Sequence, residues 1–213
     1  MSILVAPDSF KGTFTAVEVS RHIAAGIRSA GGEAIELPVA DGGEGTFDVL
    51  VRGLGARRVS VITVGPWGDD LAAEIGLTAD GTAVVELAAA SGLNLPSGRE
   101  RDPVTASTCG TGVLIAEAAR LGAHRILVAC GGSATTDGGL GAIAAIEERG
   151  GLRGADVVVL SDVTTRFGDA ARVFGPQKGA GPAAVDMLTG RLEQQALAFL
   201  RDHGRDPRTV DRT

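Results

Sequence analysis

Short apolar runs, each closed by a polar glycine-rich loop and followed by a helical pattern, recur along this chain and constrain its fold more than any other feature. Residues 3–6 form a strand-like run that Pro7 ends. Thr15 then opens a helix, and Glu18 three residues later completes a capping box. Val19, Ile23 and Ile27 follow at helical spacing until Gly31 and Gly32 stop the pattern. Residues 34–40 read as a second strand, 45–54 as a second helix and 57–64 as a third strand. This β-α-β-α-β order predicts a parallel sheet with helices on its faces.

The middle of the chain changes character. Residues 71–77 and 82–87 flank Ala79-Asp80-Gly81, a hairpin signal that implies a change of sheet or lobe. Alternation then resumes: a helix over 111–121, a strand over 125–129, a helix over 136–148 and a strand over 156–160. Pro182 is well placed to open a last helix, with Val185, Leu188, Leu192, Phe199 and Leu200 on its apolar face. The polar tail beyond Leu200 lacks periodicity and is expected to fray. The fold class expected is therefore α/β: a parallel-sheet lobe plus a second α/β lobe carrying an antiparallel hairpin. Residues 1–60 belong to the first lobe, 61–180 to the second, and 181–213 to a C-terminal helix and tail.

Composition narrows the function classes. A net charge of −6, no Tyr, one Trp and six Phe leave neither a basic stripe nor a stacking platform for nucleic acid. No apolar run is long enough to span a membrane, and the N-terminus lacks the basic start and apolar stretch of a signal peptide, so a cytoplasmic location is expected. Cys109 and Cys130 suggest no disulfide framework and read as packed thiols. His22, His124 and His203 show no metal spacing. Of 20 basic residues only Lys11 and Lys178 are lysines, and both lie in glycine-flanked loops, where a compact ammonium is a common phosphate ligand.

Four loops that follow apolar runs are candidates for chemistry, because ligands of open α/β sheets bind beyond the carboxyl ends of strands. Residues 6–12 offer Asp8, Ser9 and Lys11, suited to a carboxylate-bearing substrate or a phosphate, or else to a cap beside a solvated Lys. Residues 40–46 carry Asp41, Gly42, Gly43 and Glu44, suited to Mg²⁺ or to a base. Equally, Asp41 there caps a helix and Glu44 occupies its third position. Residues 130–139 include Gly131, Gly132, Ser133, Thr135 and Asp137 between a strand and a helix, an anion-binding arrangement without the Gly-Lys-Ser/Thr of a Walker A loop. Residues 174–181 bring Gln177 and Lys178 to another helix start, and Asp162 ends a further strand. No Gly-x-Gly-x-x-Gly follows a strand, which argues against a nucleotide-dependent oxidoreductase.

Taken together, APDSFKG at 6–12, PVADGGEGT at 38–46, ELAAASGL at 86–93, GTG at 110–112, GGSATTDGG at 131–139 and VFGPQKGA at 173–180 resemble the bacterial glycerate kinase family of the glycerate 2-kinase type. The resemblance runs over essentially the whole chain. It implies a two-lobed α/β fold, ATP with Mg²⁺ as donor and D-glycerate as acceptor, with 2-phosphoglycerate favoured over 3-phosphoglycerate as product. On this basis Lys11, Asp41 and Asp162 are the catalytic candidates. Asp8, Ser9, Gly42, Gly43 and Glu44 are candidates for the substrate. Gly131, Gly132, Ser133, Thr135, Asp137, Gln177 and Lys178 are candidates for the nucleotide, and Asp41 and Asp137 for the metal. The partners expected are D-glycerate and ATP, with no nucleic acid and no membrane; a homodimer is left open.

Two departures stand out. Residues 164–167 read Thr-Thr-Arg-Phe where the family carries an Asn-Pro-Leu-like stretch, and a later Gly-Glu-Gly-Arg-type motif of the family has no counterpart. The resemblance therefore implies a C-terminally truncated chain with an uncovered sheet edge or apolar face near residues 1–60. The alternative function is an impaired kinase fragment that binds ligand or depends on a partner.

Overall fold

A computed structural model describes residues 2–10, 13–43 and 45–209. The chain forms β1 (Ser2–Val5), α1 (Ala16–Ser29), β2 (Glu33–Glu36), α2 (Thr46–Gly53), β3 (Arg57–Val64), β4 (Asp70–Leu77) and β5 (Thr82–Glu86). It continues through α3 (Ala88–Ser91), α4 (Cys109–Arg120), β6 (Arg125–Ala129), α5 (Leu140–Glu148) and β7 (Asp156–Leu160). Two 3₁₀ turns, Phe167–Asp169 and Pro176–Lys178, flank α6 (Ala170–Phe174), and α7 (Pro182–His203) ends the ordered helices. The strands make a parallel pair, β1-β2, and a five-stranded mixed sheet in the order β3-β4-β5-β6-β7.

Local signals act as expected in several places. Thr15 and Glu18 form the capping box, with Glu18 Oε2 accepting from the Thr15 N–H at 2.8 Å and Thr15 Oγ1 from the Glu18 N–H at 3.2 Å. β6 and β7 occupy the residues anticipated for them. The turn at residues 78–81 closes with Gly81 at φ +83°, a conformation that costs glycine little.

The third strand departs from the β-α-β-α-β expectation. β3 does not extend the β1-β2 sheet; it pairs antiparallel with β4 over eight residue pairs, from Arg57 with Leu77 to Val64 with Asp70. The 65–69 turn makes this pairing local, with Gly65 N–H donating to Asp69 O at 2.7 Å, so loop closure is short and cheap. The expected first division, at residue 60, falls within this strand. Expected helical features also shift in α5 and α7. α5 begins at Leu140 and not at 136, because Gly138 and Gly139 hold φ of +64° and +81° and keep the chain non-helical. In α7, Leu188 and Leu192 are buried against Ala171 and Ala180, whereas Leu200 stays 42% exposed.

The main core lies on one face of the five-stranded sheet. Ala73, Ile75 and Leu77 of β4 and Ala83 and Val85 of β5 pack against Val113, Leu114 and Ala118 of α4. α5 presses on α4 so closely that a Cβ at Gly112 would stand 2.4 Å from Ala142 O. Strand residues alternate between faces, so Val84 points the other way and meets Phe47 and Val51 of α2. Gly76 makes room there, since a Cβ would lie 2.6 Å from Val51 Cγ2. The β1-β2 pair has α1 on one side, where Val5, Val19 and Ala24 are buried. On the other side Leu4, Ile35 and Leu37 are 58%, 57% and 52% exposed.

Candidate active site

The strand senses decide where a site can form. β3 runs antiparallel to β4, β4 to β5, and β5, β6 and β7 are parallel, so β3, β5, β6 and β7 share one direction. Their carboxyl ends therefore lie along one edge. Glu86, Ala129 and Leu160 stand in register there. The loops singled out in the sequence leave from, or lie against, this edge.

Residues 41–43 rest directly on it. Gly131 N–H donates to Gly42 O at 2.9 Å, joining the second and third candidate loops backbone to backbone. A Cβ at Gly131 would stand 2.4 Å from Gly43 Cα, and one at Gly42 2.9 Å from Leu160 O. These glycines permit one loop to lie on another. Asp41 Oδ1 accepts from the Gly43 N–H at 2.8 Å, an Asx-type turn, so Asp41 does not cap α2. The helix starts after Gly45, which has no side chain to cap with, and Glu86 of β5 accepts from the Gly45 N–H at 2.9 Å and from the Phe47 N–H at 3.4 Å. Asp162, exposed, follows Leu160 by two residues and so stands near Gly42.

The first loop joins the same assembly. Val39 N–H donates to Pro7 O at 3.0 Å and Leu37 N–H to Val5 O at 2.8 Å, which brings residues 7–9 beside the approach to Asp41. Asp8 Oδ1 accepts from the Ser9 N–H at 2.6 Å, and both residues are half-buried. Lys11 and Glu44, named among the candidates, lie outside the described residues.

The third loop meets Lys178. Its ammonium donates to Ser133 Oγ at 2.8 Å and to Thr135 O. Burial pushes the Lys178 pKa down to about 8, partly offset by the charge of Asp137. Gln177, beside it, is exposed. Asp137 is buried, and its carboxylate is occupied by the fold: Oδ2 accepts from Thr108 N–H at 2.8 Å, Thr108 Oγ1 at 2.7 Å and Gly141 N–H at 3.2 Å, and Oδ1 from Gly139 N–H at 3.2 Å. Its own carbonyl accepts from Gln195 Nε2 at 3.0 Å. Those bonds use most of a carboxylate's lone pairs and give Asp137 the task of tying the loop to the starts of α4 and α5. Thr136 Oγ1, next to it, is buried with no hydrogen-bond partner among the described residues.

Sequence reasoning assigned no task to Glu86, Thr108 or Gln195. Glu86 had a legible signal, a single acid ending the apolar run 83–85. Thr108 and Gln195 had none, since their partners are 29 and 58 residues away. Cys109 and Cys130 are free half-buried thiols, and burial pushes the Cys130 pKa up. Among the described residues no group of three or more His, Cys, Asp or Glu side chains could hold a metal by itself. Mg²⁺, by contrast, is commonly held by one or two carboxylates with substrate phosphates. None of the described helices is long and apolar enough to cross a membrane.

Comparison with known proteins agrees with the fold described above. The model of the glycerate kinase family matches residues 3–151. The chain is 40% identical to a Bacillus subtilis protein named glycerate kinase, over 88% of this chain and 58% of the relative. It is 38% identical to the Escherichia coli glycerate 2-kinase, over 92% of this chain and 60% of the relative. The crystal structure of a proposed glycerate kinase 2 from Salmonella typhimurium is 35% identical with a TM-score of 0.86, covering 99% of this chain and 65% of that one. The chain thus spans 58% and 60% of the length of the two curated relatives.

Proposed function

The chain belongs to the glycerate kinase family, and from that premise we propose that it transfers the γ-phosphoryl group of ATP to D-glycerate, with 2-phosphoglycerate as the favoured product. The observation that carries this reading is the meeting of residues 7–9, 39–43, 130–135 and 160–162 at the carboxyl edge of β5, β6 and β7. Phosphoryl transfer needs positioning and charge neutralisation more than covalent chemistry. Lys178, steadied by Ser133 and Thr135, supplies an ammonium beside the backbone N–H groups of Gly131, Gly132 and Ser133 for the phosphates of ATP, with Gln177 on the rim. Ser9 and Lys11 receive the glycerate carboxylate, Asp8 orders that loop, and Gly42, Gly43 and Glu44 are further candidates for contact with the substrate. Asp41 or Asp162 accepts the proton of the attacking hydroxyl.

Asp41 and Asp162 would hold Mg²⁺, which would neutralise phosphate charge; Asp137, a further candidate, already accepts from Thr108, Gly139 and Gly141. The substrates are small molecules and the expected location is the cytoplasm. A coupled assay of ADP release with D-glycerate and Mg-ATP tests the reading, with Lys11→Ala as control and NMR of the product to place the phosphate. Glycerate-dependent turnover that vanishes in the control supports it. A second reading, a partner-dependent ligand-binding module, is favoured by the exposed Leu4, Ile35 and Leu37; a folded chain that binds ATP without turning it over would select it.

A further inference from the structure

We infer that Glu86 is a positioning residue of this site: it clamps the start of α2 at Gly45 onto the strand ends and so sets where the Asp41–Gly43 turn stands relative to the 131–135 loop. The inference rests on the kinase reading above.

Glu86 is the last residue of β5. Side chains alternate across a strand, so Glu86 shares its face with Val84, which is fully buried under Phe47 and Val51 of α2. One strand face therefore contacts the helix twice. Val84 holds its body by packing, and Glu86 holds its start by accepting from the Gly45 N–H at 2.9 Å and the Phe47 N–H at 3.4 Å. α2 needs that acceptor. Its cap position is Gly45, left-handed at φ 93° and without a side-chain cap bond. The first N–H groups of a helix otherwise lack partners, and a carboxylate there also meets the positive end of the helix dipole.

The segment before α2 is also tied through its backbone, by Gly131 N–H to Gly42 O at 2.9 Å. One tie thus falls within the Asp41–Gly43 turn, at Gly42, and the other follows the turn, at Gly45. With the tie at Gly45 released, Gly43 is held less firmly, and the Asp41 carboxylate that accepts from its N–H shifts with it, while the 131–135 loop keeps its own ties to Lys178 and, through Asp137, to Thr108. Glu86 also lines a cleft with Ala88, Asn94 and Gly132, so the clamp stands between that cleft and the acidic turn.

The division of labour predicts an effect on turnover more than on nucleotide affinity. Wild type, Glu86→Gln and Glu86→Ala are compared for kcat and KM, at a temperature well below the unfolding midpoint of each. Gln keeps an acceptor oxygen, so kcat is expected within about threefold of wild type. Ala is expected to lose about 100-fold in kcat, as a displacement of about 1 Å can, while the KM for ATP stays within about threefold. NMR hydrogen exchange is read on the same proteins. The Gly45 and Phe47 amides should exchange about fivefold faster in Glu86→Ala, with Ile75 unchanged.

An Ala variant within about twofold of wild-type kcat overturns the inference. So does unaltered exchange at Gly45 and Phe47. Equal loss in Gln and Ala with unaltered exchange also overturns it, since Glu86 would then act directly on the reacting groups. If wild type does not turn over, the kinase reading fails, and the exchange comparison still decides whether the clamp exists.

Discussion

The two sheets of this protein are built from similar strands and packed very differently. In the five-stranded sheet, Ile75, Val84, Val85 and Ile126 have no exposed surface, because α4 and α5 cover one face and α2 part of the other. In β1-β2, α1 covers one face, and the other presents Leu4 and Ile35, paired in register, to solvent. Parallel strands are ordinarily buried on both faces. The larger sheet therefore holds the stability, and the smaller one contributes the loops at 7–9 and 37–43 to a site whose floor belongs to its neighbour. β7 shares something of the smaller sheet's condition, with Val159 60% exposed at the sheet edge.

The sharpest way to break this contrast is truncation in each sheet. Ile75→Ala should destabilise by about 2–5 kcal/mol, measured by urea unfolding, whereas Leu4→Ala should change stability by about 0.5 kcal/mol or less. Equal losses would mean that the small sheet is as tightly packed as the large one. The joint between the sheets is tested next by Gly131→Ala. Its Cβ would stand 2.4 Å from Gly43 Cα, and overpacking of this kind costs about 1–3 kcal/mol. Activity should fall with stability, because the same contact seats the Asp41 turn.

A smaller effect comes from Lys178, whose pKa lies at about 8 in place of the ordinary 10.5. Below pH 8 its ammonium is present and ATP affinity should be flat. Above it the ammonium is lost, and affinity should fall, by at most about tenfold per pH unit. Lys178→Met should lower affinity and remove that slope in a titration by calorimetry. Stability runs the opposite way between pH 8 and 10.5: the unfolded chain still binds the proton that the folded one has released, so unfolding free energy should rise with pH there. The smallest effect on stability belongs to Leu4→Ser with Ile35→Ser, within about 0.5 kcal/mol. That pair should instead reduce binding of a hydrophobic dye and self-association seen by light scattering, since it removes exposed apolar surface.

Much of the local architecture was legible. The capping box at Thr15 and Glu18, the extents of β6 and β7 and the Asp80-Gly81 turn all depend on neighbours a few residues away. The candidate loops were legible as well, because a polar glycine-rich stretch after an apolar run marks a strand end. What those glycines do was not. Gly42 looked like a substrate contact and Gly131 like an opening for a phosphate, yet each admits another loop's backbone. Asp137 looked like a ligand, yet its oxygens serve Thr108, Gly139 and Gly141. Asp41 looked able to cap α2, and Glu86, 41 residues from Gly45, took that place.

By itself, the sequence determined the run of strands and helices, the α/β class and the resemblance that the comparisons bear out, because propensity, caps and motif spacing act over short stretches of chain. Tertiary structure alone decided that β3 leaves the first sheet for the second, which loops touch, and which acid is occupied and which reaches a distant helix. Strand pairing and hydrogen-bond partnership are choices among many distant alternatives. They are settled only when burial on both faces of a sheet and the pairing of every buried polar group are satisfied at once.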